Sequence, residues 1–341
     1  MRKVAIVSTL VVLVLVAATT VGGLAFRDRL CSPYRGYAEA ERFVVIAPGT
    51  GTAAIRRSLV DAGVIRDELA FRVALWWTGH DFDLQAGEYR FDHPLTAVDV
   101  VERIASGDVY TRPITFPEGL TIEEMAEIFE SRGFGPAAEF AVAAENASLV
   151  RGVDDEALDL EGYLFPETYL LPKDTPASRL IAMMVDRFLA TFVDEWRNIT
   201  EEQGLTVRQV VTLAALVEEE TGEPAERPIV AAVYRNRLQI GMRLQADPTV
   251  VYAMRQAGTY AGNIRRSDLV MDSPYNTYRY AGLPPGPIAA PGAAALAAVL
   301  MPADVSFLYF VSRNDGTHAF ARTLAEHNRN VREFQVLFFR R

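Results

Sequence analysis

The sequence predicts an α+β protein: one N-terminal helix long enough to be transmembrane, a small α/β region, then a mixed helical and β-hairpin domain. Three observations carry the prediction. Residues 4–26, VAIVSTLVVLVLVAATTVGGLAF, hold no charge. Between residues 41 and 145, short β-branched strands, proline-glycine turns and amphipathic helices alternate. From residue 146 the helices lengthen and their connections fill with aromatics and prolines. The expected division is a cytoplasmic tip at 1–3, a transmembrane anchor at 4–26, a tether at 27–40, an N-terminal α/β region at 41–145 and a second domain at 146–341.

Taken in order, the first element rests on length. At about 1.5 Å per residue the uncharged run spans a hydrocarbon core of roughly 30 Å. A cleaved signal peptide is the alternative, with Gly22-Gly23-Leu24-Ala25 as its small-residue region, but its apolar stretch is usually only about 7 to 15 residues. Arg2 and Lys3 on one side nearly balance Arg27, Arg29 and Arg35 on the other, so flanking charge leaves the orientation open. The polar segment RDRLCSPYRGYAEA, 27–40, reads as a tether.

In FVVIAPGTGTAAIRRSLVDAGVI, 43–65, a strand, a Pro-Gly turn, a threonine suited to a helix N-cap and an amphipathic helix closed by Gly63 follow one another. AGEYRF and LTAVDVVERIASGDV supply another strand and a helix ending near Gly107. In ITFPEGLTIEEMAEIFESRGFG, 114–135, the pattern returns with Thr121 and Glu124 as a capping box. Modules of this kind either bind extended polymers or hold a catalytic domain away from a membrane.

The second half opens with LEGYLFPETYLLP, 160–172, too irregular for a regular element; its aromatics either line a site or dock on the core. Val210–Thr221 has the make-up of a helix with Val210, Leu213, Ala214, Val217 and Thr221 on one stripe. Glu219 falls opposite that stripe and faces solvent, while Glu218 and Glu220 flank it. Small neighbours at Ala214 and Ala215 leave room beside Glu218 for a ligand and for desolvation that raises a carboxyl, as a general acid requires. Glutamates ending a helix are also common without function, although they oppose the helix dipole there.

Downstream, a helix stops at Gly241, and Asp247 reads as an N-cap with Pro248 at the first helical position. SPYNTYRYAGLPPGPIAAPG, 273–292, mixes flat aromatic faces with neutral hydrogen-bonding groups, which suits a sugar or an ordered loop packed on its own domain. A hairpin turning at Asn314-Asp315-Gly316 puts His318 on its second strand in what reads as a structural role, and a terminal helix follows.

Composition narrows the function classes. With 341 residues, half of them hydrophobic, the chain builds its core without metal or disulfide support. Cys31 is the single cysteine, and His80, His93, His318 and His327 fall in no metal-ligand spacing, so no metal and no cofactor are expected. A net charge of -10 with no Lys/Arg-rich run argues against a nucleic-acid partner and fits a neutral or mixed-charge substrate better.

The ordered set LEGYLFPETY, LAALVEEET, VYRNRLQIGMRLQADPTVVY, SPYNTYRYAGLPPGPIAAPG and LYFVSRNDGTHAF with its following EHN resembles the endolytic murein transglycosylases of the MltG or YceG-like type. The resemblance runs from about residue 43 to 334. It implies a single-pass inner-membrane protein with a LysM-like module and an extracytoplasmic domain that cuts peptidoglycan glycan strands internally. The implied partners are those strands and the peptidoglycan synthases of the elongation machinery, the cuts ending nascent strands. It also implies that Glu218, the first glutamate of the motif, is catalytic and Glu220 a second motif carboxylate, with Gln245, Asp247, Tyr275, Asn276 and Thr277 holding sugars.

Such a lyase needs one acid where ordinary glycosidases need two carboxylates. The muramic unit supplies its own C6 hydroxyl, so one glutamic acid protonates the glycosidic oxygen and then takes the C6 proton, leaving a 1,6-anhydro end. Two rivals stand beside it: a hydrolytic muramidase using Glu220, Asp247 or Asp272 as second carboxylate, and a non-catalytic peptidoglycan-binding anchor.

Overall fold

The structure, a computed structural model, describes residues 2–80 and 82–338. Contacts divide the chain into two compact units, Met1–Arg112 with Leu170–Lys173, and Pro113–Tyr169 with Asp174–Arg341. The division after Arg112 means that the strand-turn-helix segment 114–135 folds in the second unit rather than with the two similar segments before it.

The first unit begins with helix α1 (Arg2–Cys31). Met1 of the expected tip, and the side chains of 2–9 and 11 within tip and anchor, lie outside the described residues, and among the described residues no helix is long and apolar enough to cross a membrane. The expected tether is not a free linker. α1 continues through Cys31, Leu30 is buried in the unit's core, and Tyr37 is buried with its hydroxyl donating to Phe91 O at 2.8 Å. Two large apolar side chains in a segment that otherwise reads as polar account for the difference.

Strand β1 (Arg42–Ile46), helices α2 (Thr52–Asp61) and α3 (Glu68–Thr78), strand β2 (Gly87–Phe91) and helix α4 (Ala97–Ser106) follow, with β1 and β2 antiparallel. Alternation along β1 and β2 turns Val44, Ile46, Tyr89 and Phe91 inward onto Ile55, Leu59, Phe71 and Ile104 of the helices. No threonine caps α2: Gly51 holds the N-cap position and Thr52 is already helical.

Strand β3 (Thr111–Thr115) begins in the first unit with Thr111 and Arg112 and continues into the second, where α5 (Ile122–Ser131) follows with the expected Thr121–Glu124 capping box at its N-terminus. After α6 (Ala137–Ala144), the 160–172 segment buries Tyr163, Phe165 and Tyr169 and ends as a strand, β4 (Thr168–Pro172), so it is less irregular than expected. Helices α7 (Ala177–Thr191) and α8 (Asp194–Glu202) precede α9 (Val207–Glu220), which is enclosed from Val210 to Val217 by its neighbours. Those neighbours include α8, α10 (Arg227–Gln239), α11 (Asp247–Gln256) and α12 (Ala293–Leu300). A single buried stripe was the expectation; small and apolar residues on every side let α9 be buried all round.

The chain closes with the hairpin β5 (Tyr309–Ser312) and β6 (His318–Ala321), paired antiparallel with Ser312 opposite His318, and helix α13 (Leu324–Val331). Asn314, at φ 65, and Gly316, at φ 90, turn the hairpin where the sequence places it.

Candidate active site

Three adjoining cavities lie in the second unit, each sharing wall residues with the next. The first, about 560 Å³, is bordered by Asp159, Glu161, Tyr252 and Arg255. A second of about 280 Å³ shares Thr121, Tyr252 and Arg255 with it and adds Glu219, Tyr260 and Asp247. The third, about 370 Å³, shares Asp247 and adds Glu220, Gln245, Tyr278, His318 and His327. A succession of this kind accepts an extended ligand more readily than one closed pocket does.

The end of α9 distributes its three glutamates, because each residue turns the helix face by about 100°. Glu220 enters the third cavity. Tyr234 of α10 donates to its Oε1 at 2.8 Å, and desolvation raises the Glu220 carboxyl to about 7, with the charge of Asp247 adding to the rise. Glu219 is exposed, as the wheel predicts, but it is exposed within the second cavity, where desolvation and the nearby Glu124 and Glu218 carboxylates raise it to about 7. Glu218 lines none of these three cavities. Its side chain, only 5% exposed, accepts from Arg227 Nη2 at 2.7 Å and from the Gly292 N–H at 3.0 Å. Burial still raises its pKa, while Arg227 opposes the rise.

Gln245 and Asp247 meet Glu220 in the third cavity. Asp247 is not an N-cap: α11 begins on it, Ala246 holds the cap position, and the carboxylate accepts from the Tyr278 hydroxyl instead. Asn276 and Thr277 are buried, so they hold the loop and present no surface to a ligand. The Asn276 amide donates to Leu269 O and Met271 O at 3.1 and 2.8 Å. Thr277 accepts from the Ala246 N–H at 3.0 Å, its carbonyl accepts from the Gln245 N–H at 3.2 Å, and its hydroxyl lies 2.9 Å from that of Thr249. This clamp maintains Gln245 at φ 49, a region that a side chain makes costly. Tyr275 packs on Tyr252 with ring centroids 4.8 Å apart, and Asp272, bound to the Tyr280 hydroxyl at 2.7 Å, borders none of the three cavities.

Two residues beyond the sequence-predicted set, Glu161 and His318, belong to these walls, and a third, Tyr234, stands behind them. Glu161 sits beside Gly162, whose φ of 81 and close approach to Pro287 and Val211 exclude any side chain. Burial raises the Glu161 carboxyl to about 8 although it accepts from the Ile122 N–H and the Tyr252 hydroxyl. His318 is held at two points by Glu226: Nδ1 lies 2.7 Å from Oε2, and its backbone N–H donates to Oε1 at 3.0 Å. Tyr234 is wholly buried behind Glu220. The motif stretches contain Glu161, Tyr234 and His318, but nothing in their local pattern distinguishes them from core residues.

A sequence profile described as the YceG-like family matches residues 44–333. The chain belongs to the YceG-like family. A Bacillus subtilis protein named endolytic murein transglycosylase is 30% identical, over 90% of this chain and 89% of that protein. A protein of the same name from Streptococcus pneumoniae is 27% identical over 97% of this chain, which spans only 65% of its length. Among solved structures, a putative YceG-like protein from Listeria monocytogenes matches with a TM-score of 0.59 and 29% identity, covering 86% of this chain and 99% of that one. The YceG-like fold here is mixed α+β, with many helices and small antiparallel sheets.

Proposed function

We propose that this YceG-like chain is an endolytic lytic transglycosylase that cuts muramic-glucosamine linkages within peptidoglycan glycan strands, with Glu220 rather than Glu218 as its acid. One observation carries the assignment: Glu220 lies in a cavity with Gln245, Asp247 and Tyr278, and its carboxyl is raised to about 7, so a large fraction is protonated near neutral pH. Glu218, ion-paired with Arg227 away from these cavities, is better suited to hold the end of α9. That the chain is a lyase-type enzyme accords with the name its relatives carry over most of its length.

In this reading a strand lies along the adjoining cavities, which favours internal cuts. Glu220 protonates the glycosidic oxygen, the C1–O bond breaks, and the C6 hydroxyl of the muramic unit closes onto C1. Gln245 contacts sugar directly, Asp247 and Tyr278 act as one hydrogen-bonded pair, and Asn276 and Thr277 act through the loop they hold. The catalytic domain, given as 146–341 by sequence, also draws on the 113–145 segment, since Thr121 and Glu124 border the second cavity.

The uncharged run at 4–26 supports an anchor that places the domain outside the cytoplasm. The strand-helix-helix-strand order β1-α2-α3-β2 supports a LysM-like module. Strand termination beside peptidoglycan synthases is the role that such an anchored enzyme would serve.

A hydrolytic muramidase remains the second reading, favoured by Asp247 sharing the cavity with Glu220. Mass analysis of products from uncrosslinked glycan strands separates the two. Anhydro ends without added water support the lyase; reducing ends that carry added water support hydrolysis. Glu220→Gln is expected to abolish cleavage while Glu218→Gln stays within about tenfold of wild type and loses about 1–3 kcal/mol of stability. Cleavage by Glu220→Gln at the wild-type rate refutes the assignment.

A further inference from the structure

We propose that the outer face of α3, which carries Trp76 and Trp77, docks on the surface of the lipid bilayer, so that the first unit lies against the membrane. The proposal rests on the anchor reading of residues 4–26 above.

α3 is apolar on both sides. Its inner face turns Ala70, Phe71, Ala74 and Leu75 into the core of the first unit. Its outer face leaves Leu69, Trp76 and Trp77 exposed, at 50%, 72% and 67%. Leu69, Arg72 and Trp76 stand at i, i+3 and i+7 and so form one line along the helix. A helix that borders water sets polar and charged side chains on its outer face; two adjacent exposed tryptophans are a cost that contact with another apolar phase removes.

The position of α3 beside α1 selects lipid as that phase. α1 packs against α3 and α4, and Leu30 enters the same buried core as Phe71. Arg29 reaches Asp67, the N-cap of α3, at 3.8 Å, and Arg66 reaches Asp28 at 3.6 Å. α1 is one unbroken helix from Arg2 to Cys31, so no loose linker separates the uncharged run from α3. Arg29 lies three residues beyond Phe26, where that run ends, a rise of about 4.5 Å. The headgroup layer on each side of a bilayer is roughly 5–7 Å thick. With 4–26 in the hydrocarbon, α3 therefore starts within that layer.

The chemistry of the face fits a lipid interface better than a sugar. Tryptophan collects at that boundary, with its flat ring among the upper acyl carbons and its N–H toward the headgroups. Leu69 gains from acyl chains alone. Arg72, exposed between Leu69 and Trp76, offers a guanidinium to a headgroup phosphate. Glu68, one turn before it, is taken by Arg56 at 2.8 Å. A glycan site needs a concave wall with neutral hydrogen-bonding groups beside the rings. Leu69, Arg72, Trp76 and Trp77 line none of the described cavities.

The test uses the full-length protein reconstituted in vesicles of phosphatidylethanolamine and phosphatidylglycerol. Trp196 is the remaining tryptophan of the chain, so Trp196→Phe leaves the α3 pair as the only indole fluorophores. Lipids brominated high on the acyl chain are expected to remove about half or more of that emission, and acrylamide in the water to quench it several-fold less than free tryptophan amide. If Trp196→Phe does not fold, the difference between wild type and the Trp76→Phe, Trp77→Phe double variant, changed only at exposed positions, gives the same reading. Emission untouched by brominated lipid overturns the proposal. Acrylamide then tells a bare face, which it quenches freely, from one covered by glycan or by a second copy of the chain. Flotation separates the two levels: protein that does not float with the vesicles removes the anchor and the docking together, whereas floating protein with an unquenched pair removes only the docking.

Discussion

Tyr234 of α10 donates its hydroxyl to Glu220 Oε1 at 2.8 Å, and this bond ties the middle of one buried helix to the last residue of another. It favours the ionised form of Glu220 and so partly offsets the desolvation that raises the carboxyl to about 7. Tyr234→Phe should therefore raise the Glu220 pKa further. For a bond worth about 1 kcal/mol the basic limb of the kcat profile moves up by about 0.7 pH unit. A limb that stays in place or moves down under a titration of kcat against pH means that Glu220 is not the acid.

Gln245 keeps a left-handed backbone, φ 49, that glycine would adopt without strain. The strained residue borders the third cavity, where its side chain can reach a ligand and a glycine could not. Gln245→Gly is expected to leave the urea midpoint nearly unchanged or slightly raised while KM for glycan strands increases about tenfold. Unchanged KM would show that the side chain does not touch substrate.

Thr277 joins the 245–249 segment to the 273–292 loop through its hydroxyl and its carbonyl. Thr277→Val leaves the Ala246 N–H without its partner in a buried setting. The expected cost is about 1–3 kcal/mol of stability together with weaker catalysis, read from denaturation curves and turnover on the same preparations. Full stability with normal turnover would remove Thr277 from any positioning role.

Glu161 and Glu220 bind protons in the folded state up to about 8 and about 7, whereas the usual carboxylate value is 4.5. Between those limits the folded protein binds more protons than the unfolded chain, so these two groups lower stability as pH rises from about 4.5 toward 8. Glu161→Gln removes one of them. Urea unfolding at pH 5.5 and 8.0 should show a smaller loss across that interval for the variant than for wild type, and equal losses would mean that Glu161 titrates normally.

Much of the architecture was legible because it is local. The Thr121–Glu124 capping box, the strand β2, the helix ending at Gly107 and the hairpin at 314–316 each depend on residues within a few positions of one another. The segment 27–40 misled because Leu30 and Tyr37 find their partners only when α3, α4 and β2 are in place. The Asp247-Pro248 pair misled for a similar reason: its pattern fits an N-cap, but a tyrosine 31 positions away engages the carboxylate.

The sequence by itself determined that the chain carries an acid-ended helix, an uncharged N-terminal run and the ordered stretches that resemble the YceG-like family. It could also say that three successive glutamates face three directions, since helical geometry alone requires it. Only the tertiary structure decided what each direction meets: Arg227 and the Gly292 amide for Glu218, the second cavity for Glu219, and Tyr234 with the third cavity for Glu220. The reason is physical. A carboxyl's proton affinity depends on the charges, donors and water within a few ångströms, and here those neighbours come from segments far apart along the chain.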